Sequence, residues 1–135
     1  MDDIPKTKKA AMRKTNDASK RQLDEQDAID FCALLKEHNG GSVALLDMRA
    51  LNMWTDFFIV VTVTSSTHLG GLQKHLKDMA REKKIKILNG NKKIAAGDEW
   101  QYCDLGHIVI HLMSEKAREF YDLENLYIDA KITRF

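Results

Sequence analysis

Asp56-Phe57-Phe58-Ile59-Val60-Val61-Thr62-Val63-Thr64-Ser65-Ser66-Thr67-His68-Leu69 joins the longest apolar run of the chain to a row of hydroxyl side chains. Phe57–Thr64 reads as a strand. One face would carry Phe57, Ile59, Val61 and Val63, the other Phe58, Val60, Thr62 and Thr64. Both are apolar or β-branched, so the strand is expected at the centre of a sheet covered on both sides. Ser65-Ser66-Thr67 supplies caps for a following helix, whose Leu69, Leu72, Leu76 and Met79 form one apolar stripe, with Lys74, Lys77 and Asp78 outside it. Gly70-Gly71 in its first turns costs about 1 kcal/mol per glycine relative to alanine; close packing is the expected reason for the pair.

On the N-terminal side, Ser42–Met48 reads as a further strand. A helix should precede it, capped by Asp24, with Glu25 and Asp27 at the positive end of its dipole and Leu23 stapled onto Ala28. Its apolar positions are Ala28, Phe31, Cys32 and Leu35, and Asn39-Gly40-Gly41 should end it through a left-handed glycine. On the C-terminal side, Lys83–Leu88 reads as a basic stretch ending in a short strand, and Asn89-Gly90-Asn91-Lys92-Lys93 as a turn-rich loop. Trp100–Leu105 and His107–Met113 then form two strands joined tightly at Gly106, which makes them antiparallel. Ser114 caps a short helix to about Phe120, and Tyr121–Tyr127 adds a further turn or two. The order implies one α/β domain, residues 23–135, with a mixed sheet flanked by helices.

Residues 1–22 differ in character. Lys6, Lys8, Lys9, Arg13, Lys14, Lys20 and Arg21 stand against Asp2, Asp3 and Asp17, with few apolar residues. The segment reads as a disordered tail or frayed helix, either solvated or an arm on RNA phosphates. The chain of 135 residues has a formal net charge of only +1, so nucleic-acid contact must come from a local patch. No run approaches the roughly 18 apolar residues of a membrane span, and the N-terminus has no apolar signal core. A cytoplasmic protein with two buried, reduced cysteines, Cys32 and Cys103, is the expectation.

A search for chemistry yields no catalytic constellation. Phosphate loops, a nucleophile elbow and a Cys-x-x-Cys pair are all missing from the sequence. His107 and His111 are four residues apart on one strand face, about 13 Å, too far to share a metal ion. Asp47 and Asp56 are the carboxylates an enzyme of the nucleotidyltransferase kind would use, but Arg49 stands where an Asp-x-Asp partner would be. More informative are Trp100, Tyr102 and Asp104 on one strand face, and Phe120, Tyr121, Leu123, Leu126 and Tyr127 crowded into a short terminal helix. That helix is too small to bury them all, and aromatic residues beside charge suit an interface. Spacing alone leaves Trp100 open between core and interface.

The chain resembles the ribosomal silencing factor, or Iojap-like, family. The match is carried by Leu46-Asp47-Met48-Arg49-Ala50-Leu51 with Trp54-Thr55-Asp56-Phe57-Phe58-Ile59-Val60, by Thr62–Leu69, and by Glu99–Met113 followed by Ala117–Tyr127. It covers about residues 25–127 and leaves the basic tail outside. The resemblance implies a nucleotidyltransferase-like fold without catalytic carboxylates and with no cofactor or metal. It implies a translational repressor that binds the L-fourteen protein of the large ribosomal subunit and sterically blocks subunit joining. It also implies homodimers, which family members often form. Carried over by position, Trp100 and Asp104 would lie in the ribosomal-protein interface, with Tyr121 and Leu126 as further candidates. The sequence departs from the family at Val63, where glycine is usual, at Tyr127, where tryptophan is common, and in the loop Asn89–Lys93. The alternatives are a nucleotidyltransferase-like enzyme using Asp47 and Asp56, and an RNA-binding module led by the tail.

Overall fold

Phe57–Val63 forms β2, the middle strand of a five-stranded sheet, and every residue of it but Thr62 is buried. The computed structural model describes residues 23–89 and 99–135. The basic segment 1–22 and residues 90–93 of the turn-rich loop lie outside the described residues. The elements are α1 (Glu25–Glu37), β1 (Gly41–Asp47), a 3-10 turn (Arg49–Leu51), β2, α2 (Ser66–Glu82), β3 (Trp100–Asp104), β4 (Ile108–Ser114), α3 (Glu115–Tyr121), α4 (Leu123–Leu126) and β5 (Lys131–Arg134). The sheet order is β3-β4-β2-β1-β5. β2 and β4 run parallel, Phe57 opposite Ile108 through Val63 opposite Ser114, and the other three pairs are antiparallel. The fold is the expected α/β type with a mixed sheet.

Each face of β2 belongs to a different core. Ile59, Val61 and Val63 pack with Val43, Leu45, Ile110 and Leu112 under α1 (Phe31, Cys32, Leu35) and α2 (Leu69, Leu72, Leu76, Ala80). Phe58 and Val60 pack with Ala44, Leu46, Val109 and Met113 under Ala117 of α3 and Leu123 of α4. Both cysteines are buried and free on the first side. Val63 lies in that packed layer too, so a side chain rather than glycine fills the position.

The helix ends show why the local signals work. Asp24 and Asp27 form a reciprocal capping box at α1, with Asp27 N–H donating to Asp24 Oδ1 at 3.0 Å and Asp24 N–H to Asp27 Oδ2 at 3.1 Å. Leu23 is buried in the same cluster as Ala28. At the other end the left-handed residue is Asn39 (φ 69°), not glycine. The Gly40 N–H donates to Leu35 O at 2.7 Å and the Asn39 N–H to Lys36 O at 3.2 Å, a Schellman closure. Gly40 is needed for space: a Cβ there would lie 2.6 Å from Val61 Cγ2 and 2.7 Å from Leu35 O.

Three further sequence expectations change. Lys83–Leu88 does not end in a short strand. The chain leaves α2 through a second Schellman closure, with Lys84 left-handed (φ 59°) and the Ile85 N–H on Ala80 O at 2.8 Å, which is incompatible with extended pairing from Lys83 onward. Only its end meets the sheet, where the Leu88 N–H donates to Asp104 O. Asn89 then seals the free edge of β3, its Nδ2 donating to Tyr102 O at 2.7 Å and its Oδ1 accepting from Asp104 N at 2.9 Å. Gly70 and Gly71 do not pack closely: a Cβ at either would meet nothing within 4 Å. Finally, β5 was not foreseen, because four mostly exposed residues give no period to read.

Candidate interaction face

α3 and α4 are seven and four residues long, too short to roof the sheet face opposite α1 and α2. A row of rings fills the gap. Trp54 meets Phe58 edge-on at 6.4 Å between centroids, and Phe58 meets Tyr127 at 5.4 Å and His111 at 4.7 Å, both edge-to-face. His111 lies 5.9 Å from Trp100, Trp100 4.6 Å from Tyr121, and Tyr121 4.9 Å from Phe120. The ends of the row are open: Trp54 is 42% exposed, Tyr121 44% and Phe120 78%, with Leu126 and Ile128 each 65% exposed beside them in sequence. The middle of the row, Phe58 and His111, is buried, so the exposed apolar surface is concentrated at its two ends, where exposed rings mark a candidate interaction surface.

Trp100 is half-buried at the start of the edge strand, opposite Met113. Its indole N–H donates to His111 Nδ1 at 3.2 Å. An indole nitrogen only donates, so His111 Nδ1 is an acceptor and the ring proton sits on Nε2. That Nε2 is buried without a hydrogen-bond partner. Burial pushes the His111 pKa down to about 4, so the imidazole is neutral at physiological pH.

Tyr121 reaches Trp100 because α3 is pinned at both ends. Ser114 Oγ accepts the Ala117 N–H at 3.0 Å, capping the helix. Arg118 lies over the sheet, where Nη1 donates to Thr62 Oγ1 at 2.9 Å and Gly41 O at 3.3 Å and Nη2 to Glu124 Oε2 at 2.6 Å. Arg134 of β5 adds a bond to the same carboxylate oxygen at 3.2 Å. Burial raises the Glu124 pKa, but the bonds from Arg118 and Arg134 together with the Arg118 charge and a backbone bond hold the carboxyl below its ordinary value. Asp122 turns the chain left-handed (φ 45°) between α3 and α4. Phe120 and Tyr121 therefore stand exposed on an anchored helix.

The structure brings Trp100 and Tyr121 into contact and exposes Leu126 on α4. It leaves Asp104 at the far end of β3, about 13 Å along the strand from Trp100. Asp104 Oδ1 accepts the Gly106 N–H at 2.9 Å, shaping a hairpin in which Gly106 has φ 87°. Phe120, of the crowded terminal helix, joins the face, and so do Trp54 and His111, which carry no interface signal in the sequence. Phe120 was visible as crowding, whereas His111 could be found only by pairing the alternation of β4 with that of β3.

Asp47 and Asp56 lie at the same end of the paired strands β1 and β2, where the Met48 N–H donates to Asp56 O at 2.7 Å. Each is already engaged. Asp47 receives Arg49 Nη2 at 2.7 Å and Nε at 2.9 Å, and these bonds hold its carboxyl below the ordinary value. Asp56 Oδ2 lies 3.3 Å from His107 Nδ1. Arg49 also lies 4.9 Å above the Phe57 ring, so its cation is held locally. Among the described residues no three His, Cys, Asp or Glu side chains are grouped to hold a metal ion.

The model of the family "Ribosomal silencing factor during starvation" matches residues 6–134. The chain belongs to the ribosomal silencing factor family. The match begins well before residue 25 and takes in most of the basic segment. The chain is 33% identical over 92 residues to the ribosomal silencing factor RsfS of Treponema pallidum, covering 68% of this chain and 81% of that protein. It is 31% identical over 97 residues to the Mus musculus protein named mitochondrial assembly of ribosomal large subunit protein 1, covering 70% of this chain and 42% of that one. A crystal structure of a Chromobacterium violaceum protein superposes with a TM-score of 0.67 at 25% identity, over 77% of this chain and 86% of that one. The chain spans less than half the length of the chloroplast Iojap proteins of Arabidopsis thaliana and Zea mays that it also matches. Tyr127, one of the positions expected to depart from the family pattern, packs edge-to-face on Phe58. Asn89, in the loop with the same expectation, supplies the edge seal on β3.

Proposed function

We propose that this silencing-factor chain represses translation by binding the large ribosomal subunit through its L-fourteen protein and standing where the small subunit would dock. The observation that carries the reading is the row of rings from Trp54 to Phe120, open at both ends, on a sheet face that its own helices cannot roof. A steric block needs no bond-making. It needs an interface, on the order of 1,600 Å² in total, anchored by a few aromatic residues. Trp100 and Tyr121, already in mutual contact and fixed from beneath, are the anchors; Leu126 extends the apolar surface. Asp104 enters only if the partner reaches the hairpin tip. Family membership supports the ribosomal target, and the mouse relative's name points to a large subunit.

Co-sedimentation with purified large subunits, followed by a subunit-joining assay, tests this. The joined population should fall as protein is added; an unchanged population overturns the block. Trp100→Ala should weaken large-subunit binding at least tenfold with the thermal transition retained. A second reading, a nucleotidyltransferase-like enzyme, would need Asp47 and Asp56 released from Arg49 and His107. Metal-dependent nucleotide binding by calorimetry would favour it. The basic segment 1–22 and a homodimer remain part of the proposal. Deleting the segment should lower the salt dependence of subunit binding, and sedimentation equilibrium should show twice the chain mass.

A further inference from the structure

The sheet face opposite the rings carries a second surface. Between Ser66 and Leu88 the sequence holds six Lys or Arg side chains against Asp78 and Glu82, a net +4, while the chain as a whole is +1. The rest of the molecule, basic segment included, therefore sums to −3. Lys83 is spent inward, where its Nζ lies 2.7 Å from Asp30 and 3.2 Å from Asp27. Lys74, Lys77, Lys84 and Lys86 are exposed and hold no ion pair among the described residues; Arg81 touches only exposed Asp78, at 3.4 Å.

Three of these cations, Lys74, Lys77 and Arg81, form a line. Gly70, Lys74, Lys77 and Arg81 follow one another at helical steps of four, three and four residues, which puts them on one face of α2 over about 16 Å. Of the apolar residues of the helix, Leu69, Leu72, Leu76 and Ala80 are buried in the core and Met79 packs against it. Gly70 and its neighbour Gly71 lower helix propensity, yet neither is required by anything inside the protein, since a Cβ would meet open space. Bare backbone beside a row of exposed cations permits close approach by a polyanion.

We infer that the exposed face of α2 is a docking surface for the phosphodiester backbone of RNA. A line of cations suits a repeating phosphate charge, whereas an anionic membrane would also need apolar side chains to insert, and those of α2 are buried. The surface lies on the other side of the sheet from the rings, so one molecule can hold a protein partner and RNA at once, and each contact raises the effective concentration for the other.

Fluorescence anisotropy of the full chain on a 20-base-pair RNA hairpin, repeated across a salt series, tests the inference. Lys74→Glu with Lys77→Glu should weaken binding at least tenfold and flatten the log–log salt slope by about 2, one per lysine. Gly70→Gln should raise the melting temperature and still weaken RNA binding, a combination that a merely solvated face would not produce. Unchanged affinity and slope in the double variant overturn the inference, as does tighter binding to phosphatidylserine vesicles or to a poly-glutamate peptide than to the hairpin. The assay uses naked RNA, so its failure is separable from failure of the subunit-joining proposal.

Discussion

His111 is neutral because its Nδ1 accepts the Trp100 indole N–H and its ring is buried. The folded pKa of about 4 lies below the ordinary 6.5. Between those values the unfolded chain takes up a proton that the folded chain refuses, so stability rises with pH through that window. The contribution is complete above about pH 6.5 and is lost as pH falls toward 4, on the order of 3 kcal/mol in all. Urea midpoints at pH 7 and pH 4.5 should show this loss. His111→Asn should shrink it, and Trp100 fluorescence should shift in His111→Phe, which offers the indole no acceptor. Cys32 and Cys103 give a simpler test. Burial pushes both thiols up to about 12. Iodoacetamide at pH 8 should modify neither in the folded protein, and both in guanidinium. Rapid native labelling would mean that the core opens readily.

Among the elements, α1 and α3 are held by different devices and should fail differently. Gly40 closes α1 where the chain passes under Val61, with no room for a Cβ. Gly40→Ala should cost about 2 kcal/mol through overpacking against Val61 and the Leu35 carbonyl, read as a lower melting temperature. α3 depends on charge. Arg118 and Glu124 are largely buried and joined at 2.6 Å. Arg118→Met leaves Glu124 with Arg134 alone, and should cost about 3 kcal/mol. Hydrogen exchange should then accelerate first in α3, α4 and β5, with α1 and α2 unaffected. Uniform acceleration would show that Arg118 supports the whole fold rather than the roof of the ring face.

For the whole molecule, the two sheet faces divide the work. One is roofed by α1 and α2 and turns basic charge outward; the other is half-roofed and turns rings outward. Aromatic contacts change little with salt, whereas phosphate contacts weaken steeply. Large-subunit binding should therefore keep a salt-resistant component that Trp100→Ala weakens, and a salt-sensitive one that Lys74→Glu with Lys77→Glu reduces while the basic segment 1–22 retains its share. Because the two surfaces lie far apart, the two losses in binding free energy should add. Equilibrium binding at low and high salt on all four proteins checks this.

The sequence by itself determined the elements whose signals are local. The double-faced run Phe57–Val63, the caps Asp24, Ser65 and Ser114, and the tight turn at Gly106 each act within a few residues, so spacing and side-chain type suffice to read them. It also determined that no catalytic motif is present and that aromatics crowd the C-terminal part. Tertiary structure alone decided the rest. Whether Trp100 is core or interface depends on His111 beneath it and Tyr121 beside it, and the three are brought together by strand register and by an arginine reaching across the sheet. Lys83–Leu88 has strand composition, but the Schellman closure of α2 turns it away. Gly70-Gly71 suggests close packing until the space around it is seen to be empty. Local preferences are set by each residue's own backbone; which face is roofed, and what is left exposed, is set by how long the covering helices are and where they land.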